Sequence, residues 1–328
     1  MQEELVGRLV REVPEVEVVY RPELLPIPQF DCDHVGSARE LTPEQLSEWR
    51  MHLSEAQIAF EFDWNEPKKW RENSPNLRWV QAAQAGVGAR AESYGHGAGQ
   101  VQITTAAGVH AKPLAEFALA GLLNFVRQLP ELEHRKNIQQ WNTGPSNTLF
   151  GKRALVVGAG NIGRETAATL SFMGVHCDGT TRRGKDLGEP FERSMPLQEC
   201  DLGDYDIVVL ACPLTAETRG LYSRQKISAM KPGSFLVNLA RGPVLDQDAL
   251  LDALETGRLG GAVLDVADPE PLPAGHRLWR APNLVLSPHT AANVSAENSR
   301  IIDMLIENLR RYLTGEELIN VYDPERGY

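Results

Sequence analysis

The chain has 328 residues, 42% of them hydrophobic and 23% charged, which is typical of a globular protein long enough for two domains. A net charge of −11 argues against nucleic acid or an anionic membrane as a general partner. No apolar run reaches the ~18 residues of a membrane span, the first four residues are unlike a signal peptide, and the four cysteines lack metal-ligand spacing, so we expect a cytoplasmic protein without a metal.

The first hundred residues alternate helical patterns with short apolar runs, which is typical of a small open α/β sheet. After a helical pattern at residues 3–11, strands are expected at residues 16–20, 56–60 and 77–81. Residues 112–127 carry the pattern of a long buried or interdomain helix. Residues 139–147, rich in Asn, Thr, Gly and Pro, indicate a loop.

A glycine motif follows the apolar strand-like run at residues 155–157 and precedes a helical pattern at residues 164–173. Its sequence is Gly158-Ala159-Gly160-Asn161-Ile162-Gly163. In this G-x-G-x-x-G pattern the glycines permit a tight turn, close approach of a pyrophosphate and close helix–strand packing. The helix N-terminus then presents free N–H groups to the phosphates. The motif therefore predicts a dinucleotide-binding Rossmann unit.

The cofactor type depends on the residues after the next strand, expected at residues 175–177. A carboxylate normally accepts hydrogen bonds from the cofactor ribose at this place, but here the sequence reads Thr181-Arg182-Arg183. Two arginines supply positive charge and forked donors suited to a 2′-phosphate. Asp178 comes three residues too early for the ribose. NADP(H) is the favoured cofactor and NAD(H) stays possible, since the arginines can also be ordinary surface charges.

Further strands alternate with helical stretches in the second half, which indicates a doubly wound parallel sheet. They are expected at residues 207–210, 235–238, 262–265 and 284–286. A final helix at residues 295–313 is expected to return to the first domain. The fold class is thus α/β with two doubly wound domains, the first at residues 1–104 and 296–328 and the second, inserted, at residues 105–295.

Three polar residues follow strand-like runs of the second domain: Arg241, Glu270 and His289. Because the carboxyl ends of strands border the ligand crevice in such sheets, we expect them to converge on the cofactor. Arginine can bind the carboxylate and carbonyl of a 2-keto acid, and histidine can donate a proton near neutral pH. A neighbouring Glu270 would orient the ring and favour its charged form. Taken singly, each residue can equally belong to a turn or a packed loop.

At this point the chain resembles the D-isomer-specific 2-hydroxyacid dehydrogenase family over nearly its whole length. Besides the glycine motif, the matching segments are Ala85-Gly86-Val87, Pro113-Leu114-Ala115-Glu116, Pro213-Leu214-Thr215, Asn238-Leu239-Ala240-Arg241-Gly242, Asp265-Val266, Pro269-Glu270-Pro271 and Ser287-Pro288-His289. The resemblance implies that Arg241, Glu270 and His289 are catalytic. It also implies a flavodoxin-like substrate domain, a Rossmann cofactor domain and a homodimer.

The resemblance implies further binding residues. Backbone N–H groups of Ala85, Gly86 and Val87 would hold the substrate carboxylate, and Asp265 would accept a hydrogen bond from the nicotinamide carboxamide. Other residues implied at the cofactor are Cys212, Pro213, Ala240 and His289. The function implied is reduction of a small 2-keto acid, of the glyoxylate or hydroxypyruvate type, to the D-2-hydroxy acid.

Two alternative functions would be compatible with the same three residues, Arg241, Glu270 and His289. One is a cofactor-sensing binding protein similar to the transcriptional corepressors of this fold, and the other is oxidation of phosphite. Four other histidines, at positions 34, 96, 110 and 276, are expected to be structural or exposed. For Trp141 and Trp279 we expect core packing or a dimer contact, although Trp141 could line a partner subunit's pocket.

Overall fold

The computed structural model describes residues 1–96, 101–181 and 185–325. Its helices are α1 Glu3–Glu12, α2 Pro43–Glu55, α3 Trp70–Asn73, α4 Gly88–Ser93, α5 Ala111–Val126, α6 Leu129–Asn137, α7 Asn161–Phe172, α8 Arg224–Ala229, α9 Gln247–Glu255 and α10 Glu297–Thr314. Its strands are β1 Ile58–Phe60, β2 Trp79–Gln81, β3 Gln102–Thr104, β4 Arg153–Val157, β5 His176–Thr180, β6 Arg193–Met195, β7 Ile207–Leu210, β8 Phe235–Asn238, β9 Gly261–Leu264 and β10 Leu284–Leu286.

The chain forms two compact units, one of residues 1–110 and 293–328 and one of residues 111–292. These boundaries differ from the sequence-based ones at residues 104 and 296. The residues just after 104 belong with the first unit because the N–H of Thr105 donates to the carbonyl of Asn320 and that of Ala106 to Gln84. None of the helices in the described ranges is both long and apolar enough to cross a membrane.

The first unit contains a parallel sheet in the order β1-β2-β3. Helix α10 packs its apolar face, which includes Ile302, Leu305 and Leu309, against α1 and the buried Trp79 of β2. These positions recur at helical spacing, and the helix ends at Gly315, whose φ of +76° suits a C-terminal glycine. The α/β class predicted for this unit is confirmed.

The strand predicted at residues 16–20 is wrong, since this segment has no regular structure. Val16 and Val18 nevertheless pack, partly buried, against the core beneath α1 and α10. Alternating apolar residues indicate that one side of a segment is buried, but a strand also needs a hydrogen-bonded neighbouring strand. Within the described ranges, β1 pairs only with β2.

The second unit is a seven-stranded parallel sheet in the order β10-β9-β8-β7-β4-β5-β6. The chain winds outward from β4 through β5 and β6, then returns and winds from β7 to β10 on the other side. This order confirms the doubly wound sheet and puts its switch point between β4 and β7. Strands β7 and β9 are buried along their whole length, as expected for strands covered on both faces.

The first unit also buries a polar group that the sequence did not indicate. Glu297, at the start of α10, has a side chain 6% exposed, and its Oε1 lies 3.8 Å from Nε2 of His34 and 3.6 Å from Nδ1 of His110. Both histidines were expected to be structural or exposed, and the structure buries them. Burial raises the pKa of Glu297 to about 7 and lowers the pKa of His34 to about 4.

These shifts give opposite dependences of stability on pH. The raised pKa of Glu297 stabilises the fold fully below its ordinary pKa of 4.5, and this contribution is lost as the pH rises to about 7. The lowered pKa of His34 gives a contribution present above its ordinary pKa of 6.5 and lost as the pH falls to about 4. Between pH 4.5 and 6.5 the two slopes oppose each other.

The substitution Glu297→Gln removes the pH dependence of stability that Glu297 contributes and leaves the one that His34 contributes. We expect the free energy of unfolding of this variant to rise from pH 4.5 to 6.5 by about 2 kcal/mol more than that of the wild type. Urea unfolding at several pH values measures the difference. Parallel profiles for the two proteins would contradict the burial-driven shifts.

Candidate functional site

The glycine motif turns the chain directly from β4 into α7. Gly158 has a φ of +103°, and a Cβ there would lie 2.6 Å from the backbone nitrogen of Cys212. A Cβ on Gly163 would lie 1.9 Å from the carbonyl oxygen of Gly158. Both positions therefore require glycine, the first for the turn and the second for close packing of helix on strand.

Gly160 differs from its two neighbours because a Cβ there would meet nothing within 4 Å. It is the N-cap of α7, and no side chain of the described residues caps that end. The first N–H groups of a 12-residue helix, which include those of Asn161 and Ile162, thus border open space at its positive end. Open space, free donors and positive potential together fit the pyrophosphate of a dinucleotide.

The end of β5 lies beside this turn. Thr180 Oγ1 accepts a hydrogen bond of 3.3 Å from the N–H of Gly158, and the N–H of Thr181 donates to the carbonyl of Met195. Arg182 and Arg183 lie outside the described residues. Asp178, the nearest carboxylate in the sequence, is fully buried and paired with Arg193 at 2.6 Å. The carboxylate of Asp178 is therefore used within the sheet, in an ion pair that joins β5 to β6.

Cys212 and Pro213 follow β7 on the other side of the glycine turn. The N–H of Ala211 donates to the carbonyl of Val157, and the backbone of Cys212 lies in van der Waals range of Gly158. β4 and β7 are the neighbours at which the strand order reverses. Both residues thus lie at the switch point, where ligands bind in open α/β sheets.

Arg241 lies just beyond β8, in a turn held by a buried asparagine. Asn238 Oδ1 accepts from the N–H of Ala240 at 3.0 Å, and its Nδ2 donates to the carbonyl of Arg241 at 3.2 Å. Arg241 Nη1 donates to the carbonyl of Ala240 at 2.7 Å, and the rest of the guanidinium makes no hydrogen bond within the described residues. The arginine is thus positioned but retains donors for an anion.

Glu270 and His289 form a hydrogen-bonded pair. Glu270 Oε2 lies 2.8 Å from His289 Nδ1, and Glu270 Oε1 accepts from the N–H of Ala267 at 3.0 Å. An ionised carboxylate only accepts, so Nδ1 carries the proton of this bond. The side chains are 39% and 42% exposed, and Nε2 of the ring has no partner among the described residues. The ring is oriented with Nε2 available for proton transfer.

A buried carboxylate holds the segment that carries His289. Asp265 directly follows β9, is 3% exposed, and accepts through Oδ1 from Ser287 Oγ at 2.7 Å and from the N–H of Ala291 at 3.0 Å. Burial raises the pKa of Asp265, which its hydrogen bonds oppose. His289, between these two contacts, has a φ of +60°. The sequence assigned Asp265 to the cofactor alone and did not indicate this role.

Arg241, Asp265 and His289 follow the adjacent parallel strands β8, β9 and β10, and Glu270 reaches His289. Ala85, Gly86 and Val87 lie in the first unit, between β2 and α4. Their N–H groups donate no hydrogen bond to any described residue. Sequence reasoning did not find Asn238 or Ser287, although both stand at strand ends beside residues it selected.

Comparisons with known proteins identify the family that the chain resembles. Residues 119–291, more than half of the chain, match the family model of the D-isomer-specific 2-hydroxyacid dehydrogenase NAD-binding domain. The chain is 28% identical over 313 residues to glyoxylate/hydroxypyruvate reductase A of Serratia proteamaculans, covering 92% of this chain and 98% of that one. It is 35% identical over 229 residues to glyoxylate reductase of Thermofilum pendens, covering 66% of each chain.

A solved structure is similar over the whole chain. It is a D-isomer-specific 2-hydroxyacid dehydrogenase from Xanthobacter autotrophicus in complex with NADPH and MES, with a TM-score of 0.76 and 29% identity. The likeness covers 100% of this chain and 97% of that chain.

The glycine motif gives a test that separates folding from cofactor binding. Gly160→Ala places a methyl group in open space, so we expect a melting temperature within about 1 °C of the wild type, because surface changes usually stay within ±0.5 kcal/mol. The same methyl obstructs the approach of a pyrophosphate, so dinucleotide affinity should fall at least roughly tenfold. Thermal unfolding and fluorescence titration measure the two effects.

Gly163→Ala is the matched control, since its Cβ would collide with backbone. This variant should lose stability by about 1 to 3 kcal/mol, the range for overpacking. Unchanged dinucleotide affinity in a fully folded Gly160→Ala protein would contradict the assignment of the motif.

Proposed function

The chain belongs to the D-isomer-specific 2-hydroxyacid dehydrogenase family, and from that premise we propose that it reduces a small 2-keto acid of the glyoxylate or hydroxypyruvate type to the D-2-hydroxy acid. The observation that carries the proposal is the 2.8 Å pair of Glu270 and His289. These two residues follow β9 and β10, and Arg241 follows β8, the other neighbour of β9. The family is one of nicotinamide-dependent oxidoreductases, and NADPH is the proposed preferred cofactor.

His289 is assigned as the general acid. When bound, the nicotinamide supplies the hydride to the keto carbon. The carbonyl oxygen then gains negative charge, and His289 Nε2 donates its proton to that oxygen, giving a hydroxyl group and a neutral ring. Glu270 holds Nδ1 through the step. Because the histidine side chain is 42% exposed, solvent can return the proton for the next turnover.

Arg241 and the loop at residues 85–87 are assigned to the substrate. A 2-keto acid presents a carboxylate and an adjacent carbonyl, and the unused donors of Arg241 suit both oxygen types. The backbone N–H groups of Ala85, Gly86 and Val87 are assigned to the carboxylate. Their lack of partners among the described residues supports this assignment.

The cofactor is assigned to the switch point of the second unit. The residues proposed to contact it are Gly158, Gly160, Asn161, Ile162, Gly163, Thr181, Arg182, Arg183, Cys212, Pro213, Ala240, Asp265 and His289. Asp178 is buried and paired with Arg193, so its carboxylate does not accept a hydrogen bond from the 2′-hydroxyl of a cofactor ribose. This supports a preference for NADPH. A similar protein binds this cofactor, since the Xanthobacter structure is a complex with NADPH.

We also propose a homodimer in a reducing cytoplasm. Trp141 is 96% exposed, and Leu129, Leu132 and Ile138 of α6 and its following residue are about half exposed. Apolar side chains of this size are enriched at interfaces. The four cysteines, all within the described residues, form no disulfide, which accords with a reducing compartment. Sedimentation analysis tests the dimer.

The role of His289 predicts a selective loss in His289→Ala. Turnover of glyoxylate with NADPH should fall by about 10² to 10⁴, the range for a positioned general acid. NADPH affinity should stay within about twofold, because the pyrophosphate site is unaffected. Absorbance assays and fluorescence titration measure both. Intact turnover would refute the role, and a wild type that oxidises phosphite with NADP but reduces no 2-keto acid would replace the proposed reaction.

The arginine pair predicts a cofactor-dependent effect in Arg182→Ala. Loss of a hydrogen bond between charged groups costs about 1.5 to 3 kcal/mol, so the KM for NADPH should rise roughly 10- to 100-fold. The KM for NADH, which lacks the 2′-phosphate, should stay within about twofold. Arg280→Ala, which removes an exposed arginine of the same unit, is the control. Equal effects on both cofactors would mean that the pair is ordinary surface charge.

A further inference from the structure

Glu61 of the first unit has an unusual backbone and an unusual position. It directly follows β1, and its N–H continues the parallel ladder by donating to the carbonyl of Gln81 at 2.9 Å. Its φ is +67°, a left-handed value that a residue with a side chain seldom adopts. Its side chain is only 15% exposed. A strained, buried acidic residue at the end of a strand indicates a use for that side chain.

The two carboxylate oxygens of Glu61 contact both ends of one loop. Oε1 accepts from the N–H of Ala83, just beyond β2, at 2.5 Å. Oε2 accepts from Arg90 Nη1, in α4, at 3.1 Å. The segment between these two contacts, residues 84–89, consists of the loop at residues 84–87 and the start of α4. The loop contains the three N–H groups assigned above to the substrate carboxylate. Glu61 thus joins the strand end that begins the loop to the helix that ends it.

Both carboxylate oxygens of Glu61 are used by donors at the ends of the loop. Burial raises the pKa of Glu61, and the bonds from Ala83 and Arg90 oppose that shift by stabilising the ionised form. The carboxylate therefore consumes donors at the loop ends, whereas the N–H groups of Ala85, Gly86 and Val87 have no partner among the described residues. One set of donors holds the loop, and the other set has no partner among the described residues and can bind a ligand.

We propose that Glu61 is a positioning residue that holds residues 84–87 in the conformation in which their N–H groups bind the carboxylate of the 2-keto acid. This inference rests on the proposed function. Arg90 has the same role, because its hydrogen bond to the carboxylate of Glu61 holds α4 in place. Neither side chain contacts the reacting atoms, so both act through the loop.

The substitution Glu61→Gln tests this inference with little change in shape. The amide can still accept from Ala83, but it no longer attracts Arg90. We expect the KM for glyoxylate to rise at least tenfold, with kcat within about threefold and NADPH affinity within about twofold. The affinity of oxamate, a carboxylate inhibitor probe, should fall by a similar factor. Hydrogen exchange of the backbone amides at residues 84–88 should become faster.

Two further variants make the test specific. Arg90→Gln should reproduce the effects, and the double variant Glu61→Gln/Arg90→Gln should be little worse than either single one, because both substitutions release the same contact. Glu66→Gln is the matched control, since Glu66 is 20% exposed, pairs with Arg50 at 2.8 Å and contacts no residue of the loop. Its kinetics and exchange should match the wild type.

The outcomes separate this inference from the proposed function. If Glu61→Gln and Glu66→Gln show the same KM and the same exchange, Glu61 does not position the loop, although the enzyme remains a reductase. A fall in NADPH affinity equal to the fall in oxamate affinity would also overturn the inference, because it would indicate general damage. If the wild type reduces no 2-keto acid, the proposed function is wrong, and so is the inference that rests on it. Hydrogen exchange of the amides at residues 84–88 would then show only whether Glu61 holds the loop.

Discussion

Parallel pairing of every strand in the second unit is the constraint on which the rest of the site depends. In a parallel sheet the carboxyl ends of all strands lie along one edge. The glycine turn after β4, the segment of Cys212 after β7, Arg241 after β8, Asp265 after β9 and His289 after β10 therefore share that edge. Residues more than a hundred positions apart in the chain are brought together without any motif that spans them.

Carboxylates, one of them buried, fix the irregular segments beyond these strand ends. Asp265 accepts from Ser287 and Ala291 on either side of His289, and Glu270 links the N–H of Ala267 to the ring of His289. Glu61 does the same for the loop after β2. A carboxylate with two oxygens can join two backbone segments, and in a partly buried place such bonds are strong. Loops with irregular backbone are thus held in one conformation by side-chain carboxylates that accept hydrogen bonds from two segments.

The sequence predicted the parts of the fold that depend on local pattern. The glycine motif, the strands β4, β5 and β7 to β10 and the long helices are recognisable because short segments carry their own periodicity or required glycines. The polar strand β6 was not predicted. The strand at residues 16–20 was wrong because pairing is a tertiary property. The partners of Ser287 and of Glu61 were not predictable, since each contact joins segments that only the folded sheet brings together. The same is true of Glu297, whose neighbours His34 and His110 come from distant parts of the chain. The roles of Arg241, Glu270 and His289 and the binding residues remain predictions.

In the proposed reaction, His289, held by Glu270, and a nicotinamide cofactor together reduce a small 2-keto acid to a product of one handedness. The most direct test is the product formed by the wild-type protein from hydroxypyruvate and NADPH, resolved by chiral chromatography. We expect stoichiometric consumption of NADPH and formation of D-glycerate. Formation of L-glycerate, or no consumption of NADPH with any 2-keto acid, would contradict it.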